Sequence, residues 1–391
     1  MSPLGLPEAE QIALKSDPLT RRHAALAASY AEQAVADAQL PDPSLNLGAQ
    51  NLPTDTFNTT QEDMTMVNLG VQQRFPPGDT LKHRAEQSTA YAASENARAE
   101  EQRRRVLNAV RNSWLESYYQ ARALETLHAS YTLLEQLLRA SQTQYGAGLA
   151  SAQDMLNAEL ELRQLKERII ASETARAMAQ ADLARWTGPT PAARPLAADF
   201  PLLQSPLPYD TLQTVLDQHP RMQLEEATVR ASNSEVDLAR DNYKPSWEIG
   251  VGYGLRGGGR SDFASAGVSV SIPLFADKRQ DRRLAASEQQ ATAARYTRDD
   301  VHRTLLHELD SGYSLWRGLG QRLAAYEKDI VPQAEQNATL ALLAYQSNNA
   351  DFATVMRARM VELEARLQTL RLRVDHARAQ AGLIYLMGEF S

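Results

Sequence analysis

The sequence predicts a mainly α chain carrying a few β-strands of the membrane type, built from one plan used twice. Three observations carry that prediction. Two long stretches lack proline, four short segments alternate with period two, and landmarks recur at an offset of roughly two hundred residues.

The helical part follows from proline and glycine placement. No proline lies between Pro77 and Pro189, and only Pro332 follows Pro273. Proline breaks helix interiors and glycine weakens them, so both stretches read as long helices rich in Ala, Leu, Glu, Gln and Arg. Each is interrupted once, at Tyr145-Gly146-Ala147-Gly148 and at Tyr345-Gln346-Ser347-Asn348-Asn349, clusters that turn a chain. Unbroken, the run from Gly78 to Tyr145 would extend about 100 Å, a length suited to a coiled coil or helical tube. The second return helix carries an apolar 4-3 seam from Met356 through Met360, Leu363, Leu367, Leu370, Val374, Ala377 and Ala381 to Ile384. Met155, Ala158, Leu162, Leu165 and Ile169 keep similar spacing in the first.

The repeat follows from matched landmarks. Pro18 matches Pro220, Pro43 matches Pro245, Gly48 matches Gly250, Tyr118 matches Tyr313, and Gly188 matches Gly388. Two units are therefore expected, 1–200 and 201–391, intertwined in one protomer. Each begins with a single moderate helix, Leu6 to Ala38 and Pro208 to Asn242. Two extended segments, a long helix, a tip and a return helix follow.

The extended segments complete the plan. Trp247, Ile249, Val251, Tyr253 and Leu255 alternate with Glu248 and three glycines, and Val268, Val270 and Ile272 with small residues. Leu45, Leu47 and Ala49, then Val67, Leu69 and Val71, repeat the pattern in the first half. About ten residues of alternation suit a transmembrane β-strand and equally a hairpin on a soluble sheet. Four strands cannot close a barrel, and an open edge cannot face lipid. Membrane use therefore requires several chains to pool strands, and a trimer would give a barrel of about twelve. In that arrangement Trp247, Ile249, Val251, Tyr253, Val268, Val270 and Ile272 face lipid. Glu248 faces the lumen and confers cation preference.

Composition narrows the function. The 391 residues contain no cysteine, which removes disulfides, thiolate metal sites and thiol nucleophiles. A net charge of -7 argues against a nucleic-acid binder. Mean hydropathy of -0.45 and the lack of a long apolar run exclude a transmembrane helix and leave a β-barrel open. No signal peptide is visible at Met1, so the chain is either cytoplasmic or begins within a mature sequence. The seven histidines form no HExxH motif or close carboxylate set and read as surface or packing residues. Met356 and Met360 could hold a soft cation but read better as packing. The glycines at 257–259 lack the Lys-Ser/Thr of a phosphate loop. No nucleophile-base-acid set occurs, so neither catalysis nor a cofactor is expected.

The doubled plan and its tips resemble the TolC family of outer-membrane efflux proteins. The carrying residues are Tyr145-Gly-Ala-Gly-Leu149 leading into Asp154-Met-Leu-Asn-Ala158, with Gly188 closing the return helix. Tyr345, Asn348, Ala350, Val355, Met356, Ala358 and Gly388 carry it in the second half, and Ser271-Ile-Pro-Leu-Phe275 looks like the family's strand-to-helix passage. The resemblance covers Leu6 to Phe390. It implies a trimeric channel-tunnel: a twelve-stranded outer-membrane barrel, four strands per protomer, continuous with a long periplasmic α-helical barrel. Its implied partners are a periplasmic adaptor and an inner-membrane pump of the RND type, for which the chain is the passive exit duct. The compact length resembles the heavy-metal cation branch. Relatives there carry a lipidated cysteine, so this chain is either unlipidated, anchored by its barrel alone, or shortened. The family's gate aspartates follow the second tip, where this chain places Thr354 and Arg357. The residues expected at the gate and adaptor contacts are Tyr145, Gly146, Gly148, Asp154, Tyr345, Asn348, Asn349, Asp351 and Arg357, with charge pairs among Asp154, Asp351 and Arg357 holding the pore shut. The competing expectations are a soluble or fibrous coiled-coil scaffold and a helical enzyme with β-hairpin insertions.

Overall fold

The computed structural model describes residues 2–146, 152–347 and 349–388. In chain order the elements are α1 (Leu6–Ser16), α2 (Pro18–Asp37), β1 (Ser44–Gln50), β2 (Met66–Phe75) and α3 (Thr80–Gly146). Then come α4 (Ala152–Thr187), α5 (Pro189–Ala192), α6 (Tyr209–Val215), α7 (Pro220–Asp241), β3 (Ser246–Arg256) and β4 (Phe263–Ser271). The last are α8 (Gln280–Ala325), α9 (Val331–Gln346) and α10 (Phe352–Met387). Helix α3 alone has 67 residues. No helix among the described residues is long and apolar enough to cross a membrane.

Two expected helices are each divided. The first helix of each half breaks at the prolines that mark the repeat. Asp17 (ψ 116°) precedes Pro18, and His219 (ψ 139°) precedes Pro220. A proline ring clashes with an α-helical residue before it, so both positions are extended. Asp17 then caps α2, accepting from the Thr20 backbone N–H at 2.7 Å. Between α8 and α9 the chain widens into a π-helical turn over Tyr326–Ile330, just ahead of Pro332. Proline has no N–H to donate and its ring crowds the preceding turn, so the ladder widens there. At the other end of the return helices, Gly188 (φ +86°) and Gly388 (φ +81°) stop α4 and α10 in the left-handed region.

The chain forms two compact units, each drawing segments from both halves of the sequence. One comprises Met1–Thr20, Glu100–His219 and Arg303–Ser391. Its core gathers Leu4, Leu6, Val106, Val110, Trp114, Leu115, Leu183 and Val374, all at most 3% exposed. Trp114 is fully buried, and its indole N–H donates to the Leu4 carbonyl at 3.1 Å. The Leu4 amide donates to Pro195 O at 2.7 Å, and the Ala197 amide returns to Leu4 O at 3.2 Å. The N-terminal segment is thus held by a short parallel bridge, the indole, and the Arg194 guanidinium, which donates to Ser2 O at 2.8 Å and Pro3 O at 3.1 Å. The predicted seam of α10 is buried, from Met356 (3%) through Leu363, Val374 and Ala381 to Ile384 (2%). Alanines at 338, 341 and 358 let α9 and α10 approach closely, with Val355 filling the gap. Glu116 accepts from Arg371 and Arg378, each at 2.9 Å. Burial would raise its pKa, but hydrogen bonds from Gln120 and Arg371 and the field of Arg378 hold it below the usual range.

The other unit comprises Arg21–Ala99 and Pro220–His302 and contains the sheet. Its strands run in the order β1-β2-β3-β4, every neighbouring pair antiparallel. Where strands give way to helices, a buried carboxylate joins the elements. Asp241, 2% exposed, ends α7 and accepts from Lys244 Nζ and contacts His83 Nδ1, each at 2.9 Å. Gly78 (φ +58°) presses against it, since a Cβ there would lie 2.3 Å from Asp241 Oδ1. Burial pushes the Asp241 carboxyl up, but hydrogen bonds from Lys244, His83 and the Asp79 backbone outweigh it and hold the pKa below 3.8. The Tyr243 hydroxyl donates to Asp281 at 2.6 Å, tying in the start of α8. The same unit pairs His23 with buried Glu95 at 2.7 Å. His23 and His83 each meet one carboxylate that lies 72 and 158 residues away in the chain, pairs that no sequence motif marks.

Trp114→Ala should cost about 3–5 kcal/mol, and Gly78→Ala about 1–3 kcal/mol through strain and displaced Asp241, read as lower denaturation midpoints in detergent. Because its folded pKa is lowered, Asp241 stabilises fully above its ordinary value of 3.8 and loses that contribution as pH falls below it. Asp241→Asn should therefore lose stability at pH 7 and show a shallower acid dependence below 3.8, and an unchanged acid profile would count against this linkage.

Candidate channel wall and helical tips

Side chains on a strand alternate faces, and directly paired residues share one. The register aligns Leu45, Val71, Val251 and Ala266 in one row, and Leu47, Leu69, Tyr253 and Ala264 in the next. Phe75, Trp247 and Val270 form another, and Gln73, Ile249 and Val268 a fourth. One face is therefore apolar apart from Gln73, and it is exposed. Leu47 is 75% accessible, Val251 58% and Val268 64%. The predicted residues Trp247, Ile249, Val251, Tyr253, Val268 and Val270 all lie on this face. Ile272 does not lie in the strand, because β4 ends at Ser271 ahead of Pro273, although Ile272 is exposed. The first-half residues Leu45, Leu47, Val67, Leu69, Val71 and Phe75 share the face. Their own alternation was the signal, and the matching rows supply the rest.

The opposite face carries Asn46, Asn68, Gln72, Arg74, Glu248, Ser265 and Ser269 among glycines, with Met66, Arg256 and Phe263 at its far end. It is concave and borders a trough of about 550 Å³. Small residues let polar neighbours lie across the sheet: a Cβ at Gly252 would sit 2.9 Å from Ser265 Oγ. Glu248 lies on this face as expected, but not alone. Arg74 Nε approaches it at 3.3 Å from the neighbouring strand. The face is thus largely uncharged amide, hydroxyl and backbone, and Glu248 is met there by Arg74 rather than standing alone. At the far end of the strands, Gly258 and Gly259 (each φ +74°) make an open turn, and Asp262 receives Arg256 N–H at 2.9 Å and Tyr253 O–H at 2.8 Å.

The tips lie in the other unit. Tyr145 and Gly146 end α3 and Asp154 lies in the first turn of α4, while Gly148 falls outside the described residues. Asn348 likewise falls outside them. In the second tip the Asn349 amide donates to Ala344 O at 2.8 Å, which closes the end of α9. The Tyr345 and Phe352 rings meet edge-on at 5.7 Å across the turn. Asp351 is the N-cap of α10, accepting from the Thr354 amide at 2.8 Å. Hydrogen bonds from the Thr354 hydroxyl and amide, with a lesser pull from exposed Arg357, hold its carboxyl below 3.8. Within one chain Asp351 thus serves as a helix cap, with Arg357 a lesser influence on it. Met356 is 3% exposed with Met360 packed against its cluster, so both serve packing. No group of three or more His, Asp or Glu gathers for a metal among the described residues.

Comparison with known proteins bears on both parts. The protein CyaE of Bordetella pertussis is 28% identical over 174 residues, which span 41% of this chain and 37% of CyaE. The outer membrane protein VceC of Vibrio cholerae superposes with a TM-score of 0.83 at 18% identity, covering 99% of this chain and 97% of VceC. A membrane protein from Pseudomonas aeruginosa gives 0.86 at 16% identity, with 98% and 92% covered. The mainly helical fold with a small antiparallel sheet is therefore that of outer-membrane channel proteins. The description "outer membrane efflux protein" matches twice, over residues 10–189 and 211–389. Matched across both of these long stretches, the chain belongs to the outer membrane efflux protein family.

Proposed function

We propose that this chain is one third of a passive exit duct through the outer membrane, fed by an inner-membrane pump through a periplasmic adaptor protein. The observation that carries this reading is the sheet: β2, β3 and β4 of membrane length beside a shorter β1, apolar on one face, polar and concave on the other, with β1 and β4 each at an edge. Three copies joined edge to edge would give a closed barrel of about twelve strands, satisfying backbone groups that lipid cannot. The apolar rows would meet lipid, and the Asn, Gln, Ser and Gly face would line a wet lumen. The halves 1–200 and 201–391 act as two copies of one efflux repeat in each protomer. No chemistry or cofactor is assigned, and substrate selection belongs to the pump. Heavy-metal cations are among the substrates that the duct would pass, as the pump delivers them.

The tips are the second part of the proposal. Tyr145, Gly146, Gly148, Asp154, Tyr345, Asn348, Asn349, Asp351 and Arg357 would form the gate and adaptor contacts. Asp351 supports this role by stiffening the start of α10, a cap of about 1 kcal/mol.

Mass measurement in detergent tests the assembly, with a trimer expected; a monomer that needs no detergent would defeat the duct. In planar bilayers Arg74→Ala should make the pore more cation-selective by about twofold, and Glu248→Gln should shift it the other way. Equal reversal potentials in both variants and the parent would remove this pair from the pore wall. If Asp154→Ala, Asp351→Ala and Arg357→Ala all leave the closed state unchanged, the gate lies elsewhere.

A further inference from the structure

The apolar face does not stop at the last strand row. At its helix-side end a recess of about 710 Å³ opens between the end of α2, the β2–α3 junction and the start of β3. Phe75 and Trp247 form one wall, their rings 5.5 Å apart, and Leu40, 46% exposed, forms another. The first turns of α3 close the recess with Lys82 and Glu86, one turn apart on the same face. Lys82 Nζ lies 3.8 Å from Glu86, and the two side chains are 69% and 50% exposed. Asp79 borders the same recess and lies 3.9 Å from Lys244.

We propose that this recess seats a zwitterionic phospholipid of the periplasmic-side leaflet. An acyl chain would run along Trp247, Phe75 and Leu40, and the headgroup would lie over Lys82 and Glu86. The inference rests on the reading of the apolar face as lipid-facing. Three features favour this occupant. The recess is continuous with that face, so a chain lying there remains in hydrocarbon. The Trp–Phe pair stands where the strands end and the helices begin, the depth at which amphipathic aromatic rings mark a membrane interface. The charges are of both signs: Lys82 complements a phosphate, and Glu86 an ammonium. An anionic headgroup would meet one ammonium but also the carboxylates of Glu86 and Asp79, so a headgroup carrying its own cation fits better.

The test uses the full chain, purified in detergent and stripped of lipid, then titrated with phosphatidylethanolamine or phosphatidylglycerol and followed by native mass spectrometry. The expected result is one retained phosphatidylethanolamine per chain, in preference to phosphatidylglycerol. Lys82→Ala should lower that occupancy about fivefold, the effect of one basic side chain at a lipid surface. Glu86→Ala should erode the preference between headgroups. Equal retention of both lipids in parent and Lys82→Ala, or no retention, would overturn the seat. Carbonate extraction of the same proteins from membranes separates the two readings. An extractable parent would defeat the lipid-facing sheet itself, whereas a resistant parent without headgroup preference would defeat only the lipid seat.

Discussion

An unpaired strand edge cannot be left in hydrocarbon, and the design of this protein turns on that constraint. Its sheet has three membrane-length strands, a shorter β1 and an exposed apolar face, yet it ends at β1 on one side and β4 on the other. Burying the apolar face inside the chain would have satisfied the side chains and left the edges available for unwanted pairing. Exposing it, as here, fits the proposed assembly, in which lipid would cover the face and other copies the edges. The polar concave face then follows, because the interior of a barrel of this size must be wet or filled, and its glycines and short polar residues fill it poorly.

Such a sheet needs firm attachment to its helices, since the apolar rows contribute nothing to the chain's own core. The attachment is polar and local. Asp241 gathers Lys244, His83 and the Asp79 backbone, and Gly78 accepts a left-handed conformation so that the chain can pass. A buried carboxylate is costly alone, so removing one partner is more damaging than the pair is stabilising. In the other unit the equivalent demand falls on apolar packing, with Trp114 over the Leu4 bridge and the α10 seam along the return helix.

Much of this was legible in the sequence because it is written in periods and punctuation. Period two marked the strand faces, the 4-3 alternation marked the α10 seam, and the paired glycines at 188 and 388 marked helix ends that are left-handed in the structure. Pro18 and Pro220 were legible as repeat marks, but the expected single helix ignored their effect on the residue before them. Ile272 continued the alternation past the point where Pro273 ends the strand. The tips were legible as turns, whereas the capping role of Asp351 became visible only with the Thr354 amide beside it.

The sequence by itself determined most helices and strands and the two faces, because each depends on neighbours within a few residues. Only the tertiary structure decided which residues meet. Arg74 reaches Glu248 across 174 positions, and His83 reaches Asp241 across 158. Neither pair shares a local period, since both depend on the register and junctions that bring the two halves together. An acid that stands alone in the sequence is thereby one of a pair in the folded protein, and charge, unlike hydrophobic pattern, is read only from its nearest neighbours in space.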